Sequence, residues 1–179
     1  MIIVISGPSG VGKTTIIQHL KEILPLRVPA SATDRAPRPG EHEGVTYYFK
    51  TPDEFQQLIN SDAFVEYTTL EHRYGVLRRE IENTSEDMVL DVDVNGALKI
   101  KEYFDDAVLI FIAPPSMQEL ERRIRARNDG MSEEELQKRL ARAKHELSMA
   151  QKYDFIITNH NIQETFEEVA KVILSSQSE

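Results

Sequence analysis

The sequence predicts an α/β fold, a parallel sheet flanked by helices, and three observations predict it. Short apolar segments alternate with amphipathic helical stripes along most of the chain. A glycine-rich loop joins the first apolar segment to the first helical stripe. Capping residues mark the starts of several helices. The 179 residues suit one domain with a sizeable core, and no internal repeat or low-complexity linker divides them.

Taken in order, Ile2 to Ser6 reads as a short buried strand. Lys13 to Leu24 reads as a helix, because Ile16, Ile17, Leu20, Ile23 and Leu24 share one face. The stretch from Ser31 to Val76 differs in texture. Val45 to Phe49 and Phe64 to Tyr67 read as strands around one helix. That helix opens at Thr51-Pro52-Asp53-Glu54, which combines an N-cap, a proline at the first helical position and a capping-box glutamate. Val89 to Asp93, Ala107 to Ala113 and Phe155 to Thr158 are further short apolar strands. Ser116 with Glu119 and Ser132 with Glu135 repeat the capping-box spacing. From Ser132 to about Lys152, Leu136, Leu140, Ala143 and Leu147 share a face. Ile162, Phe166, Val169, Ala170 and Ile173 stripe a last helix. The expected division is a core over 1–30, 77–115 and 150–179, a small inserted lobe over 31–76, and a helical segment over 116–149.

Composition narrows the function classes. The chain has no cysteine, which excludes disulfides, thiol catalysis and cysteine–zinc sites and suits a reducing, cytoplasmic setting. The apolar start lacks a basic region and meets Gly7-Pro8 too soon for a signal peptide. The longest clean apolar run, Ala107 to Ala113, is too short to span a bilayer, so no membrane partner is expected. Acidic residues outnumber basic ones by 30 to 21, for a formal charge of −9. A non-specific nucleic-acid binder is usually basic, so no nucleic acid is expected either. Phosphates can still be bound where cations gather, as they do at Arg122, Arg123, Arg125 and Arg127. A solvated helix face is the equal reading of that cluster.

Gly7-Pro8-Ser9-Gly10-Val11-Gly12-Lys13-Thr14 matches G-x-x-x-x-G-K-[ST] in full, after an apolar strand and before an amphipathic helix. Glycines let the backbone wrap tightly, so that successive N–H groups face anionic oxygens. The helix N-terminus adds partial positive charge. Lys13 would reach the β and γ phosphates, and the Thr14 hydroxyl would hold Mg²⁺, with Thr15 next in the loop. Nucleoside triphosphate binding follows, while the acceptor of the phosphate is a separate question.

A second block answers it by resemblance. Ser31-Ala32-Thr33-Asp34-Arg35-Ala36-Pro37-Arg38-Pro39-Gly40-Glu41, followed by Gly44-Val45-Thr46-Tyr47, is similar to the signature of guanylate kinases. The resemblance continues through Glu54-Phe55, Phe64-Val65-Glu66, Tyr74-Gly75, Leu90-Asp91-Val92-Asp93 with Gly96, and Ile112-Ala113-Pro114-Pro115-Ser116. It runs in order from Ile3 to about Asn159. It implies a P-loop core with a parallel sheet, a small GMP-binding lobe and a helical lid. It implies ATP and GMP as partners, Mg²⁺ as cofactor, and the reaction ATP plus GMP giving ADP plus GDP in purine metabolism.

The resemblance also implies roles. Arg35, Arg38, Tyr47 and Tyr74 would bind the GMP phosphate, since forked guanidinium groups and phenol hydroxyls suit a tetrahedral dianion. Read without it, the arginines could pair with Glu41 or Glu43 and the tyrosines could be core aromatics. Glu66 would read the base, accepting from guanine N1–H and the N2 amine, where adenine offers a lone pair and no amine. Ser31 and Asp93 would help hold the base. Asp91 would stand near the Mg²⁺ shell, although either aspartate could simply cap the following helix. Arg123, Arg127 and Arg139 would lie in a lid over the transferred phosphoryl group, across Asn128-Asp129-Gly130. Arg122, Arg125 and Arg142 are left as solvated charges. Asn159 would contact the adenine of ATP, a helix cap being the equal alternative.

Two positions depart from the family. Asp34 stands where a threonine is usual, and a carboxylate beside a phosphate site is repulsive unless an arginine pairs with it. Val76 replaces a serine or threonine that helps read the guanine. These departures keep open a kinase acting on another phosphorylated acceptor. A non-catalytic phosphopeptide-binding module would be expected to lose the phosphate loop, which is intact here. Monomer and homodimer both stay open.

Overall fold

In a computed structural model of the chain, the elements run β1 (Ile2–Ser6), α1 (Lys13–Ile23), β2 (Ser31–Thr33), β3 (Tyr47–Phe49), α2 (Pro52–Asn60), β4 (Phe64–Thr69), β5 (Arg73–Leu77), α3 (Arg78–Ile81), β6 (Met88–Asp91), α4 (Val94–Tyr103), β7 (Val108–Ala113), α5 (Met117–Arg127), α6 (Glu133–Met149), β8 (Phe155–Thr158) and α7 (Ile162–Ser176). The structure describes all residues except 70, 83, 128, 129, 178 and 179.

The main sheet has the order β6-β1-β7-β8, and every neighbouring pair is parallel. Parallel strands need crossovers, and the crossovers cover both faces with helices. The inner strands are therefore apolar on both sides. In β1, Ile2 and Val4 join one core with Val94, Ala97 and Ile100 of α4. Ile3 and Ile5 join the other, with Ile16 and Leu20 of α1 and Val169 and Ile173 of α7. In β7, Leu109 and Phe111 face the first core, and Ile110 and Ile112 the second. Each such side chain contributes about 1.5–3 kcal/mol by leaving water.

A second sheet has the order β3-β2-β5-β4. β2 pairs parallel with β3 and antiparallel with β5, which pairs antiparallel with β4. Its own small core holds Ala32, Phe55, Phe64 and Leu77, with the two phenylalanine rings stacked 4.8 Å apart. Thr51 and Glu54 close the expected capping box at the start of α2. Glu80 in α3 ties this sheet to the main one, because its carboxylate accepts from Tyr48 Oη at 2.8 Å and from Arg27.

α5 and α6 pack on each other through Leu120, Ile124, Leu136, Leu140 and Ala143. Ser116 and Ser132 accept the N–H groups of Glu119 and Glu135, at 3.1 and 3.2 Å. Among the described residues, no helix is long and apolar enough to cross a membrane.

Three expectations need correction. The strand expected from Val45 begins only at Tyr47, and Val45 is exposed. The strand expected to reach Asp93 ends at Asp91, because Asp93 leaves the sheet to cap α4. Ile23 does not join the buried face of α1, since the helix ends at that residue and leaves its side chain in water.

Candidate active site

The chain turns from β1 into α1 through the phosphate loop. Gly7 and Gly12 both have positive φ, at 146° and 108°. A Cβ at Gly7 would stand 2.3 Å from the carbonyl oxygen of Ile112, and one at Gly12 would stand 2.8 Å from Asn159 Nδ2. Only glycine fits either place. Pro8 and Val11 are buried beneath the loop, while Gly7, Ser9, Gly10, Gly12, Lys13, Thr14 and Thr15 line a cleft of about 960 Å³. Lys13 Nζ donates to Gly7 O at 2.6 Å and Pro8 O at 3.5 Å. Asn159 fastens the loop from behind. Its Nδ2 donates to Val11 O at 2.7 Å, and its Oδ1 accepts from Thr165 Oγ1 at 3.0 Å. The cap of α7 is Asn161 instead. Asn159 is thus buried, with its amide engaged by protein.

At the other end of the cleft stand Ser31, Arg38, Tyr47, Glu66, Tyr74 and Asp93. The second sheet brings them together. Register pairs Ser31 with Tyr47, and Thr33 with both Phe49 and Tyr74. Arg35 is buried, and its Nε donates to Tyr74 Oη at 3.1 Å. Its Nη2 donates to both Glu41 carboxylate oxygens, at 2.8 and 3.0 Å. The Glu41 pairing foreseen for a surface arginine does form, but around a buried one. Glu41 also accepts from the backbone N–H of the exposed Arg38.

Glu66 is 5% exposed. Burial, with repulsion from Asp93 added, pushes its carboxyl up to about 7, against opposing help from Lys99 and the Val76 N–H. The carboxylate rests on α4, where a Cβ at Gly96 would come within 2.8 Å of Oε2. Asp93 caps α4 by accepting from the N–H groups of Asn95 and Gly96, at 3.0 and 2.9 Å. Asp93 is thus a helix cap that also lines the cleft. Val76 packs into the main core, not the cleft.

Asp91 ends β6 and opens onto the cleft. Water reaches it from that side, yet the dense protein around it raises its carboxyl, and only Lys13 opposes the rise. Thr14 and Asp91 supply the hard oxygen donors that suit Mg²⁺, an ion commonly held by one or two side chains with phosphate oxygens and water completing its shell. The donor set fits that ion.

The α5–α6 pair forms the remaining wall. Ile124 approaches the loop closely enough that a Cβ at Gly10 would meet it at 3.0 Å. Arg127 and Arg139 line the cleft, with Arg139 Nη2 donating to Glu135 at 2.6 Å. Arg123 is turned away, donating to Glu119 at 2.8 Å and to Asn159 O at 3.1 Å. Its neighbours Arg122 and Arg125 are exposed and paired with glutamates, as expected of solvated charges. Arg142 is exposed and ion-paired as well, but its place differs. It lines the cleft, donates to Glu146 Oε1 at 2.9 Å and stands 3.7 Å from Asp93 Oδ2. Glu146 is a buried carboxylate, raised by that burial against the pull of Arg142 and Lys13. Sequence reading missed Arg142 and Glu146. The available signal was their spacing from Arg139, which puts all three on one helical face.

A family model described as guanylate kinase matches residues 1–176. A guanylate kinase of Caldanaerobacter subterraneus subsp. tengcongensis is 42% identical, over 99% of this chain and 88% of that protein. One of Rickettsia bellii is 40% identical, over 99% of this chain and 95% of its own length. Among solved structures, guanylate kinase from Anaplasma phagocytophilum superposes with a TM-score of 0.83 at 33% identity, covering 100% of this chain and 87% of that one.

Proposed function

The chain belongs to the guanylate kinase family, and from that premise we propose how its cleft carries out the ATP-dependent phosphorylation of GMP to GDP. The protein is a nucleoside monophosphate kinase. One observation carries the assignment of parts: a single cleft is lined by the phosphate loop, by Arg38, Tyr47, Tyr74 and Glu66, and by Arg127 and Arg139.

The triphosphate of ATP lies along the loop. Lys13 exchanges its two carbonyl partners for phosphate oxygens, a stronger interaction because both sides are charged. Thr14 and Asp91 would hold Mg²⁺, which would supply neutralisation of charge on the phosphate oxygens. The acceptor phosphate meets Arg38, Tyr47 and Tyr74, with Arg35 acting on it through the Tyr74 hydroxyl. Glu66, ionised, accepts from guanine N1–H and N2–H, with Ser31 and Asp93 beside the base. Its raised pKa means that the free site carries a partly protonated acid near neutral pH, and guanine, with two donors, draws the ionised form. An oxygen of the GMP phosphate attacks the γ-phosphorus, and the bond to the β–γ bridging oxygen breaks to release ADP. That nucleophile is already ionised at neutral pH, so alignment and charge neutralisation provide the catalysis without a general base. Arg127 and Arg139 face the transferring group from α5 and α6, which act as the lid, and Arg123 braces that lid on Asn159 O. We place the activity in the cytoplasm.

Arg38→Ala tests the assignment. Calorimetry should find GMP binding weakened by at least tenfold, about 1.4 kcal/mol, with ATP binding unchanged. Loss of ATP affinity with GMP affinity intact would reject it.

A further inference from the structure

Asp34 is an acid next to a site that must accept a dianion, and the structure answers the difficulty with Arg73. Arg73 N–H donates to Asp34 Oδ1 at 2.8 Å, and Arg73 Nε donates to Oδ2 at 2.6 Å. Both side chains are largely shielded, at 12% and 17% exposure. The backbone closes the same joint, since Asp34 N–H and Thr33 Oγ1 both donate to Arg73 O, at 3.3 and 2.9 Å. The rest of the Arg73 guanidinium is anchored to α2. It donates to Pro52 O at 2.7 Å and to Gln56 Oε1 at 3.3 Å, and lies 4.9 Å over the Phe55 ring. His72 Nδ1 stands 4.0 Å from Asp34 Oδ1.

This joint lies just past the end of β2 and at the start of β5, beside the proposed acceptor site. Asp34 precedes Arg35, and Arg73 precedes Tyr74, the two residues whose side chains meet at 3.1 Å. Neither Asp34 nor Arg73 lines the cleft. The cluster holds three guanidinium groups (Arg35, Arg38 and Arg73) and two carboxylates (Asp34 and Glu41), one excess positive charge in all. Without Arg73 that excess is zero. Burial alone would raise the Asp34 carboxyl, but the bonds and charge of Arg73 prevail and hold it below the usual range. Asp34 is therefore a standing negative charge whose effect on a nearby phosphate depends on its partner.

We propose that Arg73 is a charge-compensating residue for the acceptor: clasped to Asp34, it cancels an acid beside the phosphate site. The inference rests on the acceptor phosphate lying at Arg38, Tyr47 and Tyr74.

The two halves of the pair are not equivalent, and that asymmetry separates charge compensation from a merely structural clasp. Arg73→Gln leaves an uncompensated acid near the dianion, whereas Asp34→Asn leaves a surplus cation. A double-mutant cycle of Asp34→Asn and Arg73→Gln, with steady-state kinetics at saturating MgATP and melting curves for each protein, reads the difference. Arg73→Gln should raise KM for GMP by about fivefold or more, with kcat and KM for ATP within about twofold. Asp34→Asn should change KM for GMP by less than about twofold, and the double variant should fall back toward the unmodified protein. If Arg73→Gln fails to fold, Arg73→Lys serves in its place. It keeps the charge that cancels Asp34 and loses the forked geometry, so KM for GMP should stay within about fivefold. An unchanged KM in Arg73→Gln, equal losses in both single variants without recovery in the double, or a Lys variant whose KM rises more than about fivefold would overturn the proposal. Arg38→Ala run alongside separates the two readings. If it fails to raise KM for GMP, the acceptor site is misassigned; if it does raise it while the cycle is flat, only the role of Arg73 falls.

Discussion

Gly96 shows how narrow the tolerances of this cleft are. It is a glycine inside a helix, where alanine would favour the helix by about 1 kcal/mol. Yet its missing Cβ is the space in which the Glu66 carboxylate rests, 2.8 Å away. Gly96→Ala should therefore fold at least as well as the unmodified protein and still lose roughly tenfold to a hundredfold in kcat/KM for GMP, because the base-reading carboxylate must move. Thermal melting and GMP titration check the two halves, and a variant with normal GMP kinetics would mean that Glu66 is free to shift. At this scale the sequence disclosed residue types well and partnerships poorly. Lys13 and Thr14 were legible because a loop motif fixes local backbone. Asp34 was legible only as a problem, since its partner Arg73 lies 39 residues away across a strand pairing that no local pattern announces. Asn159 was readable as a helix cap, yet the cap of α7 is Asn161. The engagement of the Asn159 amide with Val11 and Thr165 is visible only once β8 has been laid beside β7.

Among the elements, α5 and α6 carry their own small core, and Ile124 of α5 meets the phosphate loop at Gly10. They place Arg127 and Arg139 on the cleft, and residues 128 and 129 between the helices lie outside the described residues. The two helices pack on each other through a five-residue core and the Arg125–Glu133 ion pair, while Leu147 and Met149 of α6 also reach the main core. Hydrogen exchange across Met117–Arg127 and Glu133–Met149 should slow when ATP and GMP bind together, and less with either alone. Exchange unchanged at saturating nucleotides would mean that these helices do not close. The helices were readable in advance because capping residues and a 3.6-residue stripe are local signals. β2 and β5 were not, being short strands in which polar and glycine residues interrupt any alternation. Their existence depends on pairing with each other, a tertiary fact.

For the whole molecule, the parallel sheet sets the phosphate loop and Asp91 at the carboxyl ends of adjacent strands β1 and β6. This is where open α/β sheets bind ligands. The second sheet faces that point with Glu66 and Tyr74, and the α5–α6 pair closes it with arginines. Residues from Gly7 to Glu146 thus share one cleft. We propose that this cleft moves a phosphoryl group from ATP to a guanine nucleotide and selects guanine through Glu66. A coupled assay of ADP release at saturating MgATP, with GMP, AMP, CMP, UMP and a sugar phosphate as acceptors, tests it most directly, with Lys13→Ala as the background. GMP should be preferred over AMP by at least about a hundredfold in kcat/KM, since a buried carboxylate left facing adenine loses both donors. Lys13→Ala should lose turnover by orders of magnitude on every acceptor. AMP or the sugar phosphate serving as well as GMP would contradict the account.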